Sequence, residues 1–273
     1  MTKSDDEAPF RRFISFRISS FVILSGFGFR HLDLVIGHFP PILTRMNLFP
    51  HCKWIFFDVG YTLLDETPAW QAMFKSLSAD AARDGLPVST DVIWQTFRQV
   101  ALDFEPKQWW ALCKRLSPNE EEARRLEHTS AQWQHDLQVP HHRAGDVLRV
   151  LSRHYKLGII ANQALGTADR MRQHGWADYF SCIVGSAEAG VSKPDLQIFT
   201  YAFHEAGCTP AEAVMVGDRI DNDIAPANLL GCGTVHVRQG ISGAQKPRNP
   251  TEQPTASVAG IADVPELFGM TLD

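Results

Sequence analysis

Residues 54–66 read W-I-F-F-D-V-G-Y-T-L-L-D-E. Four apolar residues, Trp54 to Phe57, run without a break into a single carboxylate, Asp58. Such a run, ended by an acid and then by Gly60, predicts a strand buried on both faces, as central strands of parallel sheets are. A carboxylate at the end of that strand is costly to bury without partners. It also stands where open α/β sheets bind ligands, beyond the carboxyl ends of their strands. Taken alone, the stretch equally allows a plain strand-ending acid.

Downstream of Asp58 the pattern turns helical, from about residue 67 to 139. Trp70, Phe74, Leu77 and Ala81 fall at helical spacing, as do Trp94, Phe97, Ala101 and Phe104, and then Trp109, Leu112 and Leu116. A further helix is predicted over Glu120 to Leu137, with Ser117-Pro118 as its start signal. From Asp146 the chain alternates. Strands are predicted at Lys156–Ala161, Ser181–Val184, Ala213–Val216 and Thr234–Val237. Helices are predicted at Asp146–His154, Thr167–His174, Pro194–Ala206 with Pro at its first position, and Asn222–Leu230. Gln239 to Thr255 is rich in Gly, Pro, Gln and Asn and reads as a flexible loop, followed by a short closing helix at Ala262–Phe268. This alternation predicts an α/β fold: a Rossmann-like, doubly wound parallel sheet with an inserted α-helical unit. The expected organisation is a tail at 1–45, a core formed by 46–66 and 140–273, and the helical insert at 67–139.

The 273 residues are 44 percent apolar and carry a net charge of −5, enough for a large core and no basic footprint for nucleic acid. Five scattered cysteines form no CxxC pair, so neither a disulfide framework nor a zinc site is indicated, and a cytoplasmic protein with reduced thiols is expected. In the first 45 residues the uninterrupted apolar part, Phe21 to Leu24, is far too short to span a bilayer, and no membrane association is expected. Arg17 interrupts any signal-like stretch, and Arg11-Arg12 fits a twin-arginine signal poorly. Met46, twelve residues before Asp58, is the expected start.

Three later stretches join the first: L-G-I-I-A-N-Q at 157–163, V-S-K-P-D at 191–195 and V-M-V-G-D-R-I-D-N-D at 214–223. With D-V-G-Y-T they resemble, in order and spacing, the four signature motifs of the haloacid dehalogenase-like (HAD) hydrolase superfamily, over roughly residues 53–237. The resemblance implies displacement at phosphorus, or at carbon in one branch, with Asp58 as nucleophile. It implies Mg²⁺ held by Asp58, the main-chain carbonyl of Gly60, Asp218 and Asp223, the last holding either the metal's waters or the lysine. Lys193 would supply fixed positive charge against a phosphoryl group. Thr62, Asn162 and Gln163 are the implied substrate-side residues, Thr62 by fixing the loop. The helical insert would be a cap that closes over the site and selects a small, phosphorylated substrate. Trp109 and Trp110 are candidates to line the pocket, with core packing the alternative for at least one, since one helix cannot aim both at the same surface.

Magnesium favours hard oxygen ligands, which carboxylates and a carbonyl provide. For Asp218 and Asp223 the bland alternative is a helix start decorated with acids, where carboxylates are favoured. Two positions depart from the resembled pattern. Gly60 stands where a second Asp protonates the leaving group and then activates water, a role worth roughly 10²–10⁴-fold. Ala161 stands where a Ser or Thr hydroxyl holds a phosphoryl oxygen. Three readings stay open: a phosphatase in which Asp65, Glu66, His141 or His142 compensates; a carbon-centred hydrolase using a cap cation such as Lys75, Arg83 or Arg98; and a non-catalytic binder. The phosphatase reading predicts that Gly60→Asp raises activity.

Overall fold

The computed structural model describes residues 47–128 and 132–272. The tail, Met46 and part of the segment expected to continue the last cap helix lie outside the described residues. Strand β1 (Trp54–Phe57) leads into a two-residue strand β2 (Leu64–Asp65), then helices α1 (Thr67–Arg83), α2 (Thr90–Leu102), α3 (Gln108–Leu116) and α4 (Glu120–Glu127), a return strand β3 (Val139–Pro140) and α5 (Ala144–Leu151). There follow β4 (Lys156–Ala161), α6 (Thr167–Gln173), β5 (Phe180–Gly185), the single turn α7 (Ser186–Ala189), α8 (Leu196–Ala206), β6 (Ala213–Gly217), α9 (Ala225–Leu230), β7 (Gly233–Val237), β8 (Ala256–Val258) and α10 (Val264–Leu267).

Six strands form one parallel sheet in the order β5-β4-β1-β6-β7-β8, with β1 between β4 and β6. The doubly wound core is therefore present. Side chains on a strand alternate between faces, and the opening apolar run uses both. Ile55 and Phe57 pack with Val147, Leu148 and Leu151 of α5 on one side. Trp54 and Phe56 pack with Ile198, Phe199 and Ala202 of α8 on the other. Each such fully buried side chain stabilises the fold by roughly 1.5–3 kcal/mol relative to exposure. The chain winds from β1 through β4 to β5 and then crosses back to β6 on the far side of β1. That reversal opens a crevice at the carboxyl ends of β1 and β6.

Helices α1 to α4 gather Phe74, Leu77, Ile93, Phe97, Leu112 and Leu126 into an apolar cluster of their own, which Tyr61 and Ile241 join. The antiparallel pair β2–β3 carries the chain out of and back into the core, Leu64 facing Pro140 and Asp65 facing Val139. Among the described residues no helix is long and apolar enough to cross a membrane, and the five cysteines are free thiols.

Several local expectations are corrected. Helix α4 is capped by Asn119, whose side chain accepts the Glu122 N–H, rather than starting from Ser117-Pro118, and it ends at Glu127. Asn is among the strongest N-cap residues because its short side-chain carbonyl satisfies an orphan donor of the first turn. Helix α8 begins at Leu196; Pro194 precedes the cap, and Asp195 accepts the Gln197 N–H. Before α9 the chain makes a wider π-type turn, Ile220–Ile224. The stretch 239–255 is not a loose loop. It buries Ser242, Gln245 and Glu252, and just past it the unforeseen strand β8 forms on β7. Its amides are spent on main-chain groups that would otherwise lie buried and unpaired. Gln239 Nε2 donates to the carbonyls of Tyr61 (2.7 Å) and Thr62 (2.9 Å).

Candidate active site

Asp58 follows β1, Asp218 follows β6, Asn162 and Gln163 follow β4, and Lys193 follows α7, so the crevice receives a side chain from each. Lys193 is buried, and its Nζ lies 2.6 Å from Asp58 Oδ1 and 2.5 Å from Asp223 Oδ1. Asp58, Asp218 and Asp223 each offer an oxygen within 4.8 Å of the others. The remaining Asp223 oxygen accepts the Arg219 N–H at 3.0 Å. Gly217 permits this approach, since a Cβ there would collide with the Asp223 carboxylate.

The electrostatics follow from crowding. Burial pushes Asp218 well above the usual carboxylate range, and the charges of Asp58 and Asp223 add to it. Burial raises Asp223 as well, with Lys193 pulling the other way. Burial opposes the charge on Lys193, yet Asp223 and Asp58 outweigh it and hold the ammonium above its ordinary value. Three carboxylates against one ammonium leave an excess of negative charge on hard oxygen donors. That donor set fits a divalent cation such as Mg²⁺, with Asp58 and Asp218 as carboxylate donors and Gly60 on the pocket wall beside them. Asp223, the third member of that group, accepts from Lys193 on one oxygen and from the Arg219 N–H on the other.

The pocket above these groups has a volume of about 180 Å³. Asn162 and Gln163 line it, as expected, but Asn162 uses its side chain to clamp the Lys193 main chain. Gln163 accepts from Arg170 Nη2 at 3.2 Å. Thr62 does not line the pocket. Its hydroxyl is buried with no hydrogen-bond partner among the described residues, and the loop is fixed instead by Gln239 reaching the carbonyls of Tyr61 and Thr62. Neither Trp109 nor Trp110 lines it; Trp109 packs in the cap and donates to the Glu127 carbonyl. Trp70 of α1 and Gln108 of α3 take that place. Lys75, Arg83 and Arg98 are exposed and away from it.

Of the groups named to offset Gly60, only Glu66 reaches the pocket. Asp65 accepts the Thr67 N–H at the start of α1, and His141 follows β3 away from the crevice. A Cβ built on Gly60 would fall 2.6 Å from Glu66 Oε1. Gly60→Asp alone therefore displaces Glu66 rather than simply adding an acid. Burial, reinforced by the charge of Asp58, pushes Glu66 up to about 7.

Sequence reasoning missed Trp70, Gln108, Asn222, Ile241 and Ser242 on the wall. The helical spacing of Trp70 marks it only as a core position. Ile241 and Ser242 sit in a stretch whose polar composition masks its packing.

Residues 52–231 match the family model described as haloacid dehalogenase-like hydrolase. A glyceraldehyde 3-phosphate phosphatase of Methanopyrus kandleri is 39% identical over 101 residues, 37% of this chain and 43% of that one, so the chain matches less than half of that relative's length. One of Pyrococcus furiosus is 28% identical over 196 residues, covering 69% and 81%. The pyrimidine 5'-nucleotidase YjjG of Escherichia coli is 31% identical over 193 residues, covering 66% and 84%. Among solved structures, the putative HAD-hydrolase YfnB of Bacillus subtilis bound to magnesium superposes with a TM-score of 0.59 at 21% identity, over 80% of this chain and 99% of that one. A HAD phosphatase of Thermococcus onnurineus superposes at 0.56 and 21%, over 81% and 100%. Those structural likenesses concern the fold. The four motifs meet in one crevice of that fold, and the family model spans all of them: this chain belongs to the haloacid dehalogenase-like hydrolases.

Proposed function

We propose that this protein is a magnesium-dependent phosphatase of small phosphorylated metabolites, acting through an aspartyl-phosphate on Asp58. The observation that carries the reading is the buried cluster of Asp58, Asp218 and Asp223 around Lys193. Its donor chemistry suits a divalent cation and a dianionic guest. The names of the relatives, phosphatases and a nucleotidase, support the same class.

Asp58 stands at the pocket floor with Lys193 on one oxygen, so its orientation is set before substrate arrives. Preorganised charge of this kind commonly supplies most of the rate enhancement in phosphoryl transfer. The Asp58 carboxylate attacks phosphorus in line, and Lys193 faces the charge on the phosphoryl oxygens. Magnesium, when bound, neutralises further charge on those oxygens. Asp223 keeps Lys193 in register through its second oxygen on the Arg219 N–H. The four helices act as the substrate-selecting cap, contributing Trp70 and Gln108 to the pocket lining. Glu66, Trp70, Asn162 and Gln163 also line a neighbouring cavity of about 320 Å³, which offers room for the body of the substrate beside the 180 Å³ over Asp58.

The test is hydrolysis of p-nitrophenyl phosphate. Turnover is expected with magnesium, absent with chelator, and absent in folded Asp58→Asn. Chelator-insensitive halide release from a 2-haloacid, with no phosphatase activity, would replace this reading by the carbon-centred one.

A further inference from the structure

An alkoxide leaving group needs a proton, and the water that opens an aspartyl-phosphate must lose one. Asp58 and Asp223 are bonded to Lys193, and Asp218 stands with them as a carboxylate donor for a cation. Among the described residues lining the pocket, Glu66 supplies the one carboxyl outside that cluster.

Its placement is built by the chain. Gly60 and Leu64 form a bridge, and β2 pairs with β3, so the residue after β2 is turned back over the loop that follows Asp58. There the Glu66 carboxyl lies where a residue-60 side chain would begin: a Cβ on Gly60 would meet Oε1, Cδ and Oε2 at 2.6, 2.7 and 2.9 Å. Gln138, buried and just ahead of β3, donates to Glu66 Oε1 at 2.7 Å. His135 Nδ1 lies 3.1 Å from the Gln138 amide oxygen, fixing the amide from behind. A carboxyl at this point is thus retained, with its backbone origin moved from position 60 to position 66.

We propose that Glu66 is the general acid and base of this site, taking the place left vacant by Gly60. This rests on the phosphatase reading. In the first step the Asp58 oxygen–phosphorus bond forms, the bond from phosphorus to the leaving oxygen breaks, and Glu66 gives its proton to that oxygen. In the second, water forms a bond to phosphorus, the Asp58 oxygen leaves, and Glu66 recovers a proton from the water. The sum is ester plus water giving alcohol plus phosphate.

The experiment compares two esters with magnesium. p-Nitrophenoxide leaves without a proton, whereas the alkoxide of glycerol 2-phosphate does not. Glu66→Ala and the size-matched Glu66→Gln are expected to lose about 10²–10⁴-fold on glycerol 2-phosphate. With p-nitrophenyl phosphate both should release one equivalent of nitrophenol in a burst and accumulate phosphorylated Asp58. Gly60→Asp/Glu66→Ala, which clears the space and restores a carboxyl, should regain at least tenfold over Glu66→Ala on both esters. Equal losses on the two esters without a burst, or a folded double variant no faster than Glu66→Ala, overturn the inference and leave the phosphatase reading intact. Wild-type protein inert toward both esters overturns the two together.

Discussion

Asn162 holds Lys193 by both of its main-chain groups: Oδ1 accepts from the Lys193 N–H at 2.8 Å, and Nδ2 donates to the Lys193 carbonyl at 2.9 Å. The end of β4 is thereby tied to the residue whose ammonium bridges Asp58 and Asp223. Both polar atoms of the Asn162 side chain are bonded to the Lys193 main chain. Asn162→Ala is expected to leave the protein folded and to lower kcat by about 10–100-fold, since a misplacement near 1 Å costs roughly 10²-fold in such sites. Steady-state kinetics beside a circular-dichroism melt check this. A change in KM alone would assign Asn162 to substrate binding instead.

Gln245 ties the loop after β7 to the cap. Its Nε2 donates to the Ala101 carbonyl of α2 at 2.8 Å, and its Oε1 accepts from the Ile220 N–H at 2.8 Å. Truncation leaves a buried N–H without its partner, and such a loss costs about 1–3 kcal/mol. Gln245→Ala should lower stability by that amount in denaturant titration, while a value near zero would mean that water replaces the amide.

Five of the six strands of the main sheet and the four converging motifs are legible in the sequence because they rest on local signals. An apolar run ending in an acid, or a Lys-Pro-Asp before a helix, carries its meaning within a few residues. Asp195 shows the limit: it is visible as part of a motif, yet its observed work is to cap α8. Glu66 stands in the sequence as only one of several acids, because its claim rests on closeness to Gly60, which the β2–β3 pairing creates from a partner over seventy residues away. The 239–255 stretch misleads because Gln, Asn and Gly suggest solvent, whereas the amides of Gln239 and Gln245 meet main-chain groups of distant segments. Long-range satisfaction of that kind leaves no period in a sequence.

The crowded carboxylates predict a metal effect on stability. Asp218 is pushed up by burial and by Asp58 and Asp223, so its charge opposes folding until a cation offsets it. Magnesium at about a hundred times its dissociation constant should stabilise the wild type by roughly 2.7 kcal/mol. Asp218→Asn should be the more stable of the two in chelator and should lose the magnesium-induced rise in melting midpoint. A variant that still responds to magnesium as the wild type does would place the cation elsewhere.

Glu66 sets a pH dependence that can be read without any turnover, in metal-free protein. Its ordinary value is 4.5, and burial together with the charge of Asp58, and more weakly of Asp65, pushes it up to about 7 in the folded state. A raised folded value means that folding takes up a proton between those two points. The contribution to stability is whole below the unfolded value and is lost as pH rises through the folded one. Asp218 and Asp223 shift in the same direction, so the wild-type loss has more than one source, and Glu66→Gln isolates one share. Between about pH 5 and about pH 8 in chelator, the wild type should lose on the order of 2 kcal/mol more than Glu66→Gln. Denaturation midpoints at the two values measure the difference. Parallel losses would mean that the Glu66 carboxyl reaches water freely in the folded protein and keeps an ordinary titration.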